Sequence, residues 1–193
     1  MSLFTTYLEL GYQHIAGLDG LDHILFLLVL ASPYTIQRWK LLLLMVTAFT
    51  IGHSLSLALA ATDAVEVNRM WIEFLIPLTI VLAGLFNLLR KSKSNKTPWL
   101  SLLVVIAFGL IHGVGFSSFF QSLLGKEESI LMPLLAFNLG IELGQLLIVM
   151  IVVILLTAVQ GSGTKHLEKL VFFINSAVIG IASYMSFLNH PWS

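Results

Sequence analysis

The chain has 193 residues, of which 58% are hydrophobic and 10% are charged, and its formal net charge is zero. A soluble domain carries about 25% charged residues, so this composition excludes a soluble domain and indicates an integral membrane protein. The sequence contains no cysteine, which excludes thiolate metal sites and disulfides, and no basic cluster suggests a nucleic-acid partner.

Six apolar stretches, each near the roughly 20 residues that cross a bilayer, account for most of the sequence. The first covers about residues 13–31 and is interrupted by its own acids. The others are at about 41–61, 71–89, 99–120, 131–159 and 168–189. We therefore predict an all-α membrane protein in which residues 1–193 form a single bundle of six transmembrane helices. The first nine residues include no basic side chain, so we expect no cleavable signal peptide.

Lysine and arginine are unevenly divided between the two sides of this predicted bundle. The loops after spans 1, 3 and 5 hold eight of them, whereas the other loops and the termini hold two, Arg69 and Lys126. Basic loops remain in the cytoplasm. We therefore predict a multi-pass protein of the bacterial cytoplasmic (inner) membrane, with both termini on the extracytoplasmic side.

Ionisable side chains recur inside the apolar stretches, where each one is costly unless it shares a partner. In the predicted orientation, a rise of about 1.5 Å per residue places them in the outer half of the bundle. Imidazole and carboxylate groups that meet there suit a divalent transition metal, nickel or zinc, or else a proton path. The predicted metal ligands are His23, His53, His112, Asp22 and Glu142, with His14 and Glu73 at the rim. The residues predicted to support them are Asp19, Asn138, Gln145 and Ser54.

Several of these residues also have a structural interpretation. A single histidine in a membrane is often a hydrogen-bond donor between helices, and Asp19 suits a helix N-cap. His14 and Glu73 are near the headgroups, where interfacial solvation is sufficient to explain them. The matched depth of ionisable groups on separate spans is what favours one shared site.

Two small-xxx-small pairs, Gly109-xxx-Gly113 and Gly140-xxx-Gly144, flank the deepest ionisable residues. Such pairs permit close approach of helices in lipid, so we expect tight helix packing around His112 and Glu142. Tight packing would hold the ionisable groups in one compact cluster.

Five segments carry motifs that resemble the HupE/UreJ family of bacterial membrane proteins. They read His14-x4-Asp19-x2-Asp22-His23, Phe49-Thr-Ile-Gly-His53-Ser, Glu73-x-Leu-Ile-Pro, Phe108-Gly-Leu-Ile-His112-Gly and Phe137-Asn-Leu-Gly-Ile-Glu142-Leu-Gly-Gln145. The family is linked to nickel supply for hydrogenase and urease, and the resemblance implies a six-span nickel permease. Carried over by position, it implies metal-site roles for His14, Asp22, His23, His53, Glu73, His112 and Glu142.

The residues leave three functions open. The first is uptake of a divalent metal, which the resemblance favours. The second is an intramembrane zinc-type hydrolase, in which histidines hold the metal, a bound water attacks the substrate, and Glu142 or Asp22 is the general base. The third is a metal sensor or accessory subunit without turnover.

The predicted inner half of the bundle is apolar, which bears on this choice. No polar side chain occurs in the eleven residues after Gln145. The candidates for an inward path are Thr47, Thr50, Asn87 and Ser101. A transported ion would need these groups, whereas a pocket closed on the inside suits an enzyme. The predicted partners are the lipid bilayer and a metal ion, and a homo-oligomer is left open.

Overall fold

The computed structural model describes residues 2–17, 20–61, 68–89, 98–125 and 129–192. Within these ranges the chain forms seven α-helices and no β-strand, which confirms the predicted all-α bundle. Helices α3 to α7 are each long and apolar enough to cross a bilayer. The helices are α1 (Leu3–Ala16), α2 (Leu21–Ala31), α3 (Trp39–Ala61), α4 (Arg69–Leu89), α5 (Pro98–Leu124), α6 (Leu131–Gly161) and α7 (Thr164–Leu188).

The candidate for the sixth span is the pair α1 and α2, which meet at an angle of 66°. The sequence predicted one stretch from about residue 13, but the helix already begins at Leu3, where the Ser2 hydroxyl accepts a hydrogen bond from the Thr5 amide at 3.3 Å. It ends before Gly17, whose backbone is extended. Non-helical backbone at membrane depth is tolerated where protein or a cavity surrounds it. Gly20, on the α2 side of the break, is buried.

Three helix pairs form the bundle: α3 packs along α5, α1 along α6, and α4 along α7. Glycine brings the first two pairs into backbone contact. A Cβ atom on Gly109 of α5 would meet the backbone of Phe49 and His53 on α3, and one on Gly140 of α6 would meet the backbone of Leu8 on α1. The close approach predicted for the two glycine pairs is confirmed.

Neighbouring spans alternate in direction. The Tyr7 hydroxyl near the start of α1 donates to the Leu123 carbonyl at the end of α5, at 2.9 Å. The Asn189 side chain after α7 donates to the Glu73 carbonyl near the start of α4, at 3.3 Å. Both ends of the described chain therefore lie at one face of the bundle, here named the terminal face; the other is the opposite face.

Exposed tryptophans mark both faces. Trp71 at the start of α4 and Trp192 after α7 lie at the terminal face, with ring centroids 5.8 Å apart. Trp39 and Trp99 lie at the opposite face, where α3 and α5 begin. Tryptophan is enriched at both membrane–water interfaces, so these positions are consistent with a bundle that spans the bilayer.

The basic loops predict that the terminal face is extracytoplasmic, and cysteine labelling tests this. Ser129 precedes α6 at the terminal face, Ser162 follows α6 at the opposite face, and the chain has no native cysteine. An impermeant maleimide should label Ser129→Cys on intact spheroplasts and Ser162→Cys only after permeabilisation. The reverse pattern would place the terminal face in the cytoplasm.

Candidate metal centre

Four histidines from four helices converge in the bundle interior. His14 is near the end of α1, His23 near the start of α2, His53 on α3 and His112 on α5. The ring centroid of His23 lies 4.6 Å from that of His14, 5.9 Å from that of His53 and 5.1 Å from that of His112. Ligand atoms of His14, His23 and His53 all lie within 4.8 Å of one another. These four residues are named the His cluster.

The break between α1 and α2 is what allows two of these histidines to meet. In an unbroken helix, nine residues would separate His14 from His23 by about 13.5 Å along the axis and place them on opposite faces. Gly20 precedes α2, and a side chain there would collide with the backbone carbonyls of His14 and Ile15. Glycine therefore permits α2 to begin directly against the end of α1.

The His cluster presents nitrogen atoms that lack partners. The Nε2 atom of each of its four rings is buried and has no hydrogen-bond partner among the described residues. Each buried polar atom without a partner lowers the stability of the fold by about 1–3 kcal/mol, and the His cluster contains four such Nε2 atoms. A cation bound by these nitrogens would remove this cost.

Two of the rings are oriented by contacts at their other nitrogen. Nδ1 of His23 lies 2.9 Å from Oδ1 of Asp22, which is in the first turn of α2, where the positive end of the helix dipole favours a carboxylate. Nδ1 of His112 donates to the Phe108 carbonyl at 2.9 Å. A histidine that binds a metal through Nε2 almost always donates its other N–H in this manner.

The ligand atoms of three cluster histidines are somewhat farther apart than in an occupied metal site. Nitrogen atoms bonded to one zinc ion at about 2.1 Å lie no more than about 4.2 Å apart. In a tetrahedral site the same bonds place the nitrogens about 3.4 Å apart, so the observed limit of 4.8 Å for His14, His23 and His53 calls for a contraction of up to about 1.4 Å. The three imidazoles are donors that a late first-row ion accepts, and the rings would move closer together to bind it.

A layer of three phenylalanines closes the His cluster toward the opposite face. Phe26, Phe49 and Phe108 each lie about one helical turn beyond a cluster histidine on α2, α3 and α5. Phe26 stacks on both of the others, with ring centroids 4.9 Å from Phe49 and 5.0 Å from Phe108. All three are buried. These residues are named the Phe layer.

On its other side the His cluster borders a pocket of about 430 Å³. His14, His23, His112 and Asp22 line it, and it extends toward Arg69, which begins α4 at the terminal face. The cluster is thus reached from the terminal face and closed toward the opposite face by aromatic rings.

The two other predicted acids have different partners. Glu73 accepts a hydrogen bond from Nε of Arg69 at 2.6 Å, and 46% of its side chain is exposed. Glu142 accepts one from the Thr47 hydroxyl at 2.6 Å. Neither carboxylate belongs to the group of close ligand atoms found among the described residues.

Two of the predicted supporting residues form hydrogen bonds with Thr50. Gln145 accepts a hydrogen bond from Thr50 at 2.9 Å, and Ser54 donates to the Thr50 carbonyl at 2.6 Å. The Oδ1 atom of Asn138 is buried and has no partner in the part of the chain that the structure describes. Asp19 lies outside the described residues.

Sequence reasoning missed the Phe layer and the helix break. Phe49 and Phe108 each precede a histidine by four residues, and that repeated spacing was the available signal for the layer. Gly17 and Gly20, two glycines within four residues of an apolar stretch, were the signal for the break.

The family described as HupE / UreJ protein matches residues 1–190, nearly the whole chain. The chain belongs to the HupE/UreJ family. No curated protein and no solved structure matches it. The HupE/UreJ family is associated with transport of transition metals across membranes, and the His cluster provides donors of the kind that such metals prefer.

Proposed function

We propose that this HupE/UreJ protein takes up a late first-row divalent ion, nickel or a similar metal, across the bacterial cytoplasmic membrane. The observation that carries the proposal is the convergence of four histidine rings, each with a buried Nε2 atom that lacks a partner among the described residues. Neutral imidazole suits nickel and zinc, whereas calcium and magnesium prefer oxygen ligands. His14, His23, His53 and His112 are the proposed ligands, and Asp22 orients His23.

The helix break supports transport over permanent storage. Discontinuous membrane helices are characteristic of transporter binding sites, because the helix ends at the break face the bound substrate or ion. The far end of α2 is held by side-chain hydrogen bonds, in which Asn175 donates to Ser32 at 2.9 Å and Asn87 to the Val29 carbonyl at 2.8 Å. Movement of α1 against this fixed half would change the distance between His14 and His23.

Uptake by reconstituted vesicles tests the proposal. Wild-type protein in liposomes should accumulate external nickel over time, measured as vesicle-trapped metal by elemental analysis. His112→Ala should reduce the rate to that of empty liposomes, because it removes a ligand. His166→Ala, at an exposed position on α7, should retain it. Wild-type protein that binds nickel stoichiometrically but never accumulates it would rule out a permease.

The Phe layer favours a second candidate, an intramembrane zinc hydrolase. Three histidines leave one zinc position for a water molecule, whose pKa falls to about 7 in such enzymes. Asp22 lines the pocket and would be the general base. Zinc-dependent hydrolysis of an ester or amide by protein that shows no vesicle uptake would support this function instead.

A further inference from the structure

A second polar group lies between α3 and α6, apart from the His cluster. Glu142 accepts a hydrogen bond from Thr47 at 2.6 Å, and Gln145 accepts one from Thr50 at 2.9 Å. Both pairs combine residues three apart on each helix, so they lie side by side on the facing surfaces. The four residues contribute carboxylate, amide and hydroxyl groups and are named the oxygen station.

The oxygen station has unused hydrogen-bonding capacity in a fully buried position. Gln145 is 0% exposed, and its Nε2 atom has no partner within residues 2–17, 20–61, 68–89, 98–125 and 129–192. The Thr50 hydroxyl has one hydrogen but lies 2.9 Å from Gln145 Oε1 and 3.2 Å from the Val46 carbonyl. If that hydrogen goes to Val46, the amide reverses and its oxygen becomes the free atom. In this second orientation Gln145 offers a free oxygen to a cation.

The station lies beyond the His cluster as seen from the pocket. Thr50 and Thr47 precede His53 on α3 by about 4.5 Å and 9 Å along the helix axis, toward the opposite face. The Phe layer fills the side of α3 that faces α2 and α5. Thr47 and Thr50 are on the side that contacts α6, away from the face that the aromatic rings occupy.

We infer that the oxygen station is a second binding site for the divalent ion, which it receives from the His cluster and releases toward the opposite face. The inference rests on the proposed permease function. Late first-row ions bind imidazole in preference to carboxylate, hydroxyl and amide oxygens, so the second site is the weaker one. A weak second site permits release of an ion that four histidines would otherwise retain. Glu142 therefore serves this site and does not complete the first.

Glu142→Gln separates the two sites, because it removes the charge of the station and keeps the size of the side chain. Nickel binding to detergent-purified protein, measured by equilibrium dialysis, should stay within about twofold of wild type, since the His cluster is intact. The initial rate of nickel uptake by liposomes should fall by about tenfold or more. Glu168→Gln, at an exposed position on α7, should leave both quantities unchanged.

Two outcomes would overturn the inference while wild-type uptake persists. Uptake at the wild-type rate by Glu142→Gln would show that the transported ion does not bind at the oxygen station. A parallel loss of nickel binding would make Glu142 a ligand of the His cluster itself. If Glu142→Gln does not fold, Thr47→Val supplies the same comparison, because it removes the hydroxyl at nearly constant shape. Absence of nickel uptake by the wild-type protein would instead contradict the proposed permease function, on which the inference rests.

Discussion

Replacing His53 with alanine should abolish stoichiometric nickel binding by the purified protein. The His53 ring is 0% exposed, and both of its nitrogens lack partners among the residues that the structure describes. Loss of a group that merely orients a ligand typically weakens metal binding 10–100-fold, so loss of the ligand should exceed about 100-fold. Equilibrium dialysis with elemental analysis measures the change.

Two variants calibrate this result. His166→Ala, at an exposed histidine on α7, should bind nickel as wild type does. Asp22→Asn should weaken binding by about 10–100-fold, because it perturbs the contact that orients His23 and leaves the ligand nitrogens in place. Wild-type affinity in His53→Ala would contradict the assignment and leave the His cluster as a structural contact between helices.

In His53→Ala, the effect on the free energy of unfolding can be measured separately from the effect on nickel binding. Truncating a buried aromatic ring usually lowers the free energy of unfolding by about 3–5 kcal/mol. His53 differs, because its removal also eliminates two buried nitrogens without partners in the described chain, each of which costs about 1–3 kcal/mol. The metal-free variant should therefore lose less stability than Phe49→Ala, which truncates a fully buried ring in the Phe layer.

The sequence was sufficient to predict the spans and most of the His cluster. Apolar length and hydropathy identify α3 to α7, because a bilayer requires about 20 apolar residues in each. Alternating direction then assigns His53 and His112 to similar depths. An isolated ionisable group inside the membrane costs free energy, so His53 and His112 are expected to converge on a shared partner.

The break in the first span could not be predicted from hydropathy. Leu21–Ala31 is as apolar as any other span, but α1 carries exposed polar residues such as Thr6, Glu9 and Gln13, which weakened the signal for a helix from Leu3. The angle between the two helices depends on packing of Gly20 against the end of α1. This packing is a tertiary contact, which hydropathy does not report. It brings His14 beside His23.

The role predicted for Glu142 as a metal ligand rested on its depth in the membrane. Its depth on α6 predicted a ligand in the same slab as the histidines. Depth alone does not locate a side chain, however, because its position also depends on the rotation of the helix and on the length of the side chain. In the structure the Glu142 carboxylate accepts a hydrogen bond from Thr47 of α3, which lies about 9 Å from His53 along the helix axis.

Gly109→Ala should disrupt both the fold and the metal site, although it adds one methyl group. The new Cβ atom would collide with the Phe49 carbonyl and lie 2.9 Å from the His53 amide nitrogen. Both are backbone atoms and cannot rotate away, so α3 and α5 must move apart. Overpacking of this kind costs about 1–3 kcal/mol of unfolding free energy.

The displacement matters because α3 and α5 carry two of the proposed ligands. Gly109 is one turn from His112 and faces the backbone of His53. Moving α3 and α5 apart at this point therefore increases the distance between these two histidines. Metal and binding sites tolerate shifts of about 0.5 Å, and we therefore expect nickel affinity to fall by about tenfold or more. Thermal unfolding in detergent and equilibrium dialysis measure the two effects.

Gly180→Ala on α7 is the matched control. A Cβ atom there would have nothing within 4 Å among the described residues, and alanine is favoured over glycine within a helix by up to about 1 kcal/mol. This variant should unfold at the same or a higher temperature and bind nickel as wild type does. Equal behaviour of the two alanine variants would mean that the glycine contact between α3 and α5 does not hold His53 and His112 together. A destabilised Gly109→Ala with unchanged nickel affinity would instead show that the ligands remain in place when these helices separate.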